Sequence, residues 1–472
     1  MVFSSVTFLF FFLPICLAGY YLLPPRLRNG WLLLSSLVFY TWGGGALVVL
    51  LIISTVVDYA MGWIVASGRH RNKRSLIRLG VTGSVLVNLG LLSYFKYANF
   101  FVEQLNSLGF GEIAWTSVVL PIGISFFTFQ SMSYTIDVSR GRVEHLRNPF
   151  DFALYVTLFP QLVAGPIVRF HEISDQITKR TLSVERFARG ATRFAHGLAK
   201  KVLVADAVAP IVDATFGADA LSLSSGAAWL GIAAYTIQIY FDFSGYSDMA
   251  IGLGNMFGFD FPENFRRPYS AVSMTDFWRR WHITLSNWFR DYLYIPLGGS
   301  RVSTGRTMVN LWIVFALVGI WHGANWTFLL WGLYHGAWLV AERLTGQRPT
   351  GAAATWAPLR RAIVLLAVMV GWVMFRSPDV GYALDYLGAM FSAGGITPEA
   401  VTSAVDTRAL IALGVGAASV LVPGNAVGGL LVTGWQGVRG AAVRFAEVGV
   451  MFPYALIVVA SGSFSPFLYY QF

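Results

Sequence analysis

His322 lies in the middle of LWIVFALVGIWHGANWTFLLW, residues 311–331, a run without a charged side chain. About 20 apolar residues suffice to cross a bilayer, and an ionisable group at that depth is costly to keep and is a functional-site hypothesis by default. Imidazole, with an unperturbed pKa of about 6.5, suits a general base near neutrality. The competing reading is a histidine hydrogen-bonded inside a helix bundle.

A second stretch carries a different chemistry. FWRRWHITLSNWFRDYLYIPLGG occupies residues 277–299. At helical spacing Phe277, Trp281, Leu285, Trp288 and Tyr292 share one apolar face. Arg279, Ser286 and Arg290 form a polar stripe, with Arg280, Asn287 and Asp291 beside it. The pattern predicts an amphipathic helix at the cytoplasmic interface or on the floor of a cavity. Its arginines suit the phosphates of a substrate or anionic lipid headgroups. His282, one turn from Trp278 and Ser286, is either structural or a second functional group. Upstream, Asp242, Ser244, Tyr246, Asp248 and Asn255 interrupt an apolar segment. Asp242 and Asp248 do not share a helical face, since facing neighbours are three or four residues apart. A carboxylate dyad is thus disfavoured, and pairing of one of these acids with a nearby arginine or histidine is expected.

Other chemistries lack their signatures. There is no G-x-S-x-G elbow, no phosphate-binding lysine loop and no H-E-x-x-H. The seven histidines are scattered, and none of the residues between His322 and His335 is acidic. No metal site is therefore expected. The one cysteine, Cys16, excludes an intrachain disulfide and reads as a small buried hydrophobe.

Composition says what must hold these residues. Of 472 residues 56% are hydrophobic and 12% charged, against about 25% charged in soluble chains. The fold class expected is an all-α polytopic membrane protein, a single transmembrane domain over residues 1–472. The net charge of +10 then means basic cytoplasmic loops, not nucleic-acid binding. Candidate crossings are residues 4–23, 31–42, 46–66, 79–101, 117–136, 195–215, 228–257, 308–322, 324–342, 361–375, 408–423 and 445–461. No basic side chain precedes the first of them; Arg26 and Arg28 follow it. This order predicts a retained first helix with its N-terminus outside, in the periplasm. Alternation from there puts Arg26 and Arg28, the cluster from Arg69 to Arg78, and Arg140, Arg142 and Arg147 in the cytoplasm, as the positive-inside rule asks. Residues 151–168 break the alternation, because both flanks are basic, and Pro160 and Pro166 disfavour a straight helix. A re-entrant element is expected, its non-helical backbone surrounded by protein or a water-filled cavity. Residues 308–322 and 324–342 read as a broken pair, with His322 and Asn325 at the break. Residues 393–407 read as an external loop.

Taken together, these motifs resemble the membrane-bound O-acyltransferase (MBOAT) family, and within it the alginate O-acetyltransferase AlgI-like branch. The resemblance rests on residues 277–299, on GIWHGANW around His322, on residues 159–166, on YFDFSGYSD at residues 240–248, and on the terminal PFLYYQF. It implies a ring of about 11–12 transmembrane helices, each of roughly 20 residues, with re-entrant and amphipathic elements around a central cavity. It implies that His322 is the membrane-embedded catalytic histidine and His282 the second, more variable active-site position, where some branches carry Asn. Trp321, Asn325, Asp242 and Asp248 would support the site, and Arg279, Arg280 and Arg290 would hold the donor. His282 or Asn325 would orient His322 or donate to the oxyanion of the acyl carbonyl. No bound cofactor is expected. The donor would be acetyl-CoA or another acyl thioester, and the acceptor a hydroxyl on the periplasmic side of a bacterial inner membrane. That hydroxyl would belong to an exported polymer such as alginate or to a periplasmic SGNH-type acetyltransferase partner. Membrane lipids are the remaining partners. A transporter or flippase for a lipid-linked sugar or small anion shares the broken helices and the intramembrane polar residue. It also predicts an inverted repeat, which the sequence does not show. A structural scaffold of a polymer-export complex, with His322 merely packed, is a third reading.

Overall fold

The computed structural model describes residues 1–109, 113–346, 357–421, 445–462 and 467. The described residues are overwhelmingly helical, and their only strand-like pairing is a single bridge between Leu223 and Ile396. Pro25–His70, Arg74–Ser107, Thr304–His322 and Ala357–Arg376 are long and apolar enough to cross a bilayer. Large apolar side chains such as Ile53, Leu86 and Leu366 are left exposed on them, as a lipid-facing surface requires. The chain is an all-α polytopic membrane protein, as composition predicts. By its contacts it divides into two units: Met1–Ala191 with Ala250–Pro262, and Thr192–Met249 with Glu263–Phe472.

In the first unit, Pro25–Gly44, Val48–His70, Arg74–Ser107 and Ile124–Arg140 are the main helices. Ile124–Arg140 is buried along nearly its whole length although it carries Ser125, Thr128, Gln130, Ser131, Ser133, Thr135 and Asp137. The polar packing continues on its neighbours, where Asp58 accepts from the Ser84 hydroxyl at 2.5 Å and the Asn88 amide at 2.8 Å. Hydrogen bonds between helices hold such a bundle together in lipid, which offers no hydrophobic driving force between helices. The helix starts at Ile124, not near residue 117, because Gly123 takes a positive φ of 74° and residues 113–121 carry no regular structure. The segment expected to be re-entrant is broken at Leu158, between Pro149–Thr157 and Phe159–Leu162. Residues 154–170 are all buried. Tyr155 ties the broken segment down, donating to the carbonyls of Gln130 and Val168.

The second unit holds every candidate site residue. Its central feature is an antiparallel hairpin, Thr304–His322 followed by Trp326–Leu344. The break falls where the sequence placed it. Gly323 is fully extended, and Asn325 caps the second helix by accepting from the Thr327 amide. The two helices meet backbone to backbone. A Cβ on Gly319 would lie 2.4 Å from the Phe328 carbonyl, and one on Gly332 2.3 Å from that of Phe315. Small residues let membrane helices approach this closely. Residues 393–407 contain a short helix, Glu399–Ala404. The end of the crossing expected at 408–423, and all of PFLYYQF except Phe467, lie outside the described residues.

Candidate active site

His322 is the last residue of Thr304–His322 and is 4% exposed. Its ring meets Trp321 at 4.9 Å, Trp331 at 5.0 Å and Phe375 at 5.2 Å, each edge to face. Trp331 and Phe375 come from two other helices, so hairpin packing fixes the imidazole's position. Trp321 is also in contact with His282, whose ring centroid lies 6.2 Å from it. The two histidines therefore flank one indole.

His282 does not sit on the amphipathic helix that the periodicity of residues 277–299 predicts. The helix is broken into Met274–Trp278 and Ile283–Phe289, and His282 between them has a left-handed φ of 43°. The cause is Asn264, which no spacing rule would have selected. Its carbonyl accepts from the Ile283 amide at 2.9 Å, and its side-chain oxygen meets His282 Nδ1 at 3.1 Å and the Thr284 hydroxyl at 2.9 Å. These bonds take the backbone groups that a continuous helix would have used. His282 is buried against Phe243 at 4.7 Å, and burial pulls its imidazole down to about 3. It is thus neutral at physiological pH. The supposed interfacial face is also interior, with Phe277, Trp281, Leu285 and Trp288 all buried.

Asp242 and Asp248 each meet a different lysine. Lys201 lies 3.0 Å from Asp242 and 2.5 Å from Asp206, while Lys200 lies 2.7 Å from Asp248. Residues six apart on a helix point roughly 120° away from each other, and adjacent residues about 100°. Two consecutive lysines on the facing helix can thus reach both acids. Contact of Gly197 with Gly245 brings these helices together: a Cβ on Gly197 would sit 2.5 Å from the Gly245 carbonyl. Arg193 joins Asp248 at 2.8 Å to Glu263 at 2.6 Å. The acids are thereby held in ion pairs that fix helix register.

The arginines separate into two groups. Arg280 donates to Asp276 at 2.8 Å and does not line the neighbouring cavity. Arg279 and Arg290 do line it, and so does Arg343, which sequence reasoning did not select. The cavity has a volume of about 380 Å³. Its apolar wall is Leu311, Val314, Phe315 and Val318, one face of the helix that ends at His322. Glu342 braces the rim, accepting from the Thr275 amide at 2.9 Å and hydroxyl at 2.7 Å. Asn325 is committed elsewhere. Besides capping its helix it donates one amide hydrogen to the Pro378 carbonyl at 2.6 Å, so it shapes the hairpin turn. Among the described residues no three of His, Cys, Asp and Glu gather as a metal-binding group.

A buried imidazole at the end of an apolar helix, with an arginine-lined cavity along that helix, is compatible with acyl transfer. Comparison with known proteins decides the class. Residues 91–376 match the model of MBOAT, the membrane-bound O-acyltransferase family. The chain belongs to that family. It is 48% identical to "Probable alginate O-acetylase AlgI" of Azotobacter vinelandii over 87% of this chain and 82% of the relative. It is 43% identical to the protein of the same name in Pseudomonas putida over 100% of both chains. It is 37% identical to "Peptidoglycan O-acetyltransferase" of Helicobacter pylori, over 84% of this chain and 81% of the relative. The family expected from the motifs is therefore confirmed, and the chain is a membrane O-acyltransferase.

Proposed function

We propose that the protein transfers an acetyl group from a cytoplasmic thioester, acetyl-CoA or a related donor, to a hydroxyl on the periplasmic side of the bacterial inner membrane. The observation that carries this is the placement of His322. It is buried at the end of a helix whose preceding turns wall a cavity that three arginines also line. Arg279, Arg290 and Arg343 suit the phosphates of the donor, and the apolar wall suits its arm. His322 removes the hydroxyl proton as the oxygen attacks the acyl carbon. The C–S bond then breaks, and the thiolate leaves and is reprotonated. His282, neutral and held by Asn264, is the remaining candidate for orienting the reacting groups. The names of the relatives point to an exported polysaccharide, with alginate favoured over peptidoglycan by the higher identity. A periplasmic SGNH-type acetyltransferase is the proposed carrier between this protein and the polymer, and the N-terminus is placed in the periplasm.

Reconstitution tests the reading. Vesicles given labelled acetyl-CoA on the face of the basic loops should accumulate acetyl ester on an acceptor held on the other face. Passage of a lipid-linked sugar or small anion without ester formation would favour the transporter instead.

A further inference from the structure

His335 is a buried histidine that takes no part in the scheme above. His335, on Trp326–Leu344, is 0% exposed, and neither ring nitrogen has a hydrogen-bond partner among the described residues. The indole Nε1 atoms of Trp331 and Trp278 are also buried without a partner. These are not scattered defects. His335 lies 5.0 Å from Trp331 and 5.1 Å from Trp278, and the two indoles lie 5.6 Å apart. Trp331 is also the ring against His322 at 5.0 Å, while Trp278 lines the cavity. The cluster therefore spans from the cavity wall to the aromatic cage of His322.

A buried donor or acceptor left without a partner costs its full desolvation penalty. Four such atoms in one cluster would cost several times that, and a leucine at position 335 would avoid half of it. Gly371 makes room for the ring, since a Cβ there would lie 2.7 Å from Nε2. Groups of this kind are normally satisfied by ordered water, each water making about three hydrogen bonds. Indole N–H groups can only donate, so they orient water. Imidazole both donates and accepts, so it can pass a proton on.

We propose that His335 is a proton-relay residue, linked by ordered water held on Trp278 and Trp331 to His322 on one side and to the cavity on the other. The proposal rests on the reading of His322 as the base and of the cavity as the donor side. In the reaction, the acceptor hydroxyl gives its proton to His322 as the C–O bond forms. The C–S bond breaks with its electron pair going to sulfur. The proton travels from the His322 imidazolium through water and His335 to that thiolate. Both imidazoles end each turnover neutral, and no further reactant is consumed.

The test compares full-length wild type, His335→Leu and His335→Gln with two acetyl donors, acetyl-CoA and S-phenyl thioacetate. Thiophenolate is the better leaving group and departs without a proton, so the proton on His322 is returned to water on the acceptor side and needs no relay. Both variants should lose about tenfold or more in kcat with acetyl-CoA, at unchanged KM. With S-phenyl thioacetate they should stay within about twofold of wild type, in line with general-acid behaviour. Equal losses with both donors, or full activity with acetyl-CoA, would overturn the relay. A purely packed His335 predicts that His335→Leu is fully active and melts at or above the wild-type temperature. The glutamine variant carries the test if the leucine variant does not fold. His322→Ala in the same assays separates the readings: if it retains activity, the base assignment has failed, whatever His335 does.

Discussion

His282 owes its place to a bond across 18 residues of chain, from Asn264, and that gives it a measurable signature. Its folded pKa lies below the ordinary 6.5, at about 3, because burial disfavours the charged ring. Between those values the unfolded chain binds a proton that the folded chain does not. Stability from this group is therefore full above pH 6.5 and is lost as pH falls toward 3, by up to about 1.4 kcal/mol per unit. His282→Asn, which keeps a polar side chain, should flatten the fall in melting temperature between pH 7 and pH 5; an unchanged slope would refute the assignment. The arginines make a second residue-scale prediction. Arg279→Ala and Arg343→Ala should raise the donor KM by about tenfold, as expected for loss of a charge-assisted phosphate contact worth 1.5–3 kcal/mol. Arg280→Ala should leave KM alone and instead lower stability by about 1–3 kcal/mol, because Asp276 loses its partner. Equal KM effects at all three positions would contradict the division.

At the scale of elements, the hairpin that ends in His322 depends on backbone contact. A Gly319→Val side chain would enter the space of the Phe328 carbonyl, and overpacking of this kind costs typically about 1–3 kcal/mol. The variant should lose thermal stability and activity together, whereas Gly305→Ala on the same helix, where a Cβ meets nothing within 4 Å, should lose neither. Elements were legible in the sequence where apolar run length alone decides them. The hairpin break at His322–Asn325 stood out because extended Gly323 and the capping Asn325 interrupt a continuous apolar run. The break at His282 was hidden, because Phe277, Trp281, Leu285 and Trp288 are all buried and so mimic one amphipathic face. What breaks that helix comes from Asn264, remote in sequence. The start of Ile124–Arg140 was missed for a related reason: residues 117–123 are as apolar as the helix they precede, and only the left-handed Gly123 ends the ambiguity.

For the whole molecule, two motifs in order identified the family, and His322 was legible because any polar group in such a run is conspicuous. Arg343 and His335 were not, since both acquire meaning only when Trp326–Leu344 packs beside Met274–Trp278. The buried acids were legible as groups that need a cation, but where an arginine or histidine was expected Asp242 meets a lysine, and Asp248 a lysine together with Arg193. No spacing in the sequence singles out Lys200 and Lys201, which the structure sets against Asp248 and Asp242. The proposed chemistry nevertheless turns on one side chain, His322. The deciding measurement is acetyl-ester formation by reconstituted His322→Ala protein, normalised to folded protein by its melting transition. Loss of a general base predicts a rate about 10²–10⁴-fold below wild type with the fold intact. A folded variant that acetylates at close to the wild-type rate would contradict the account.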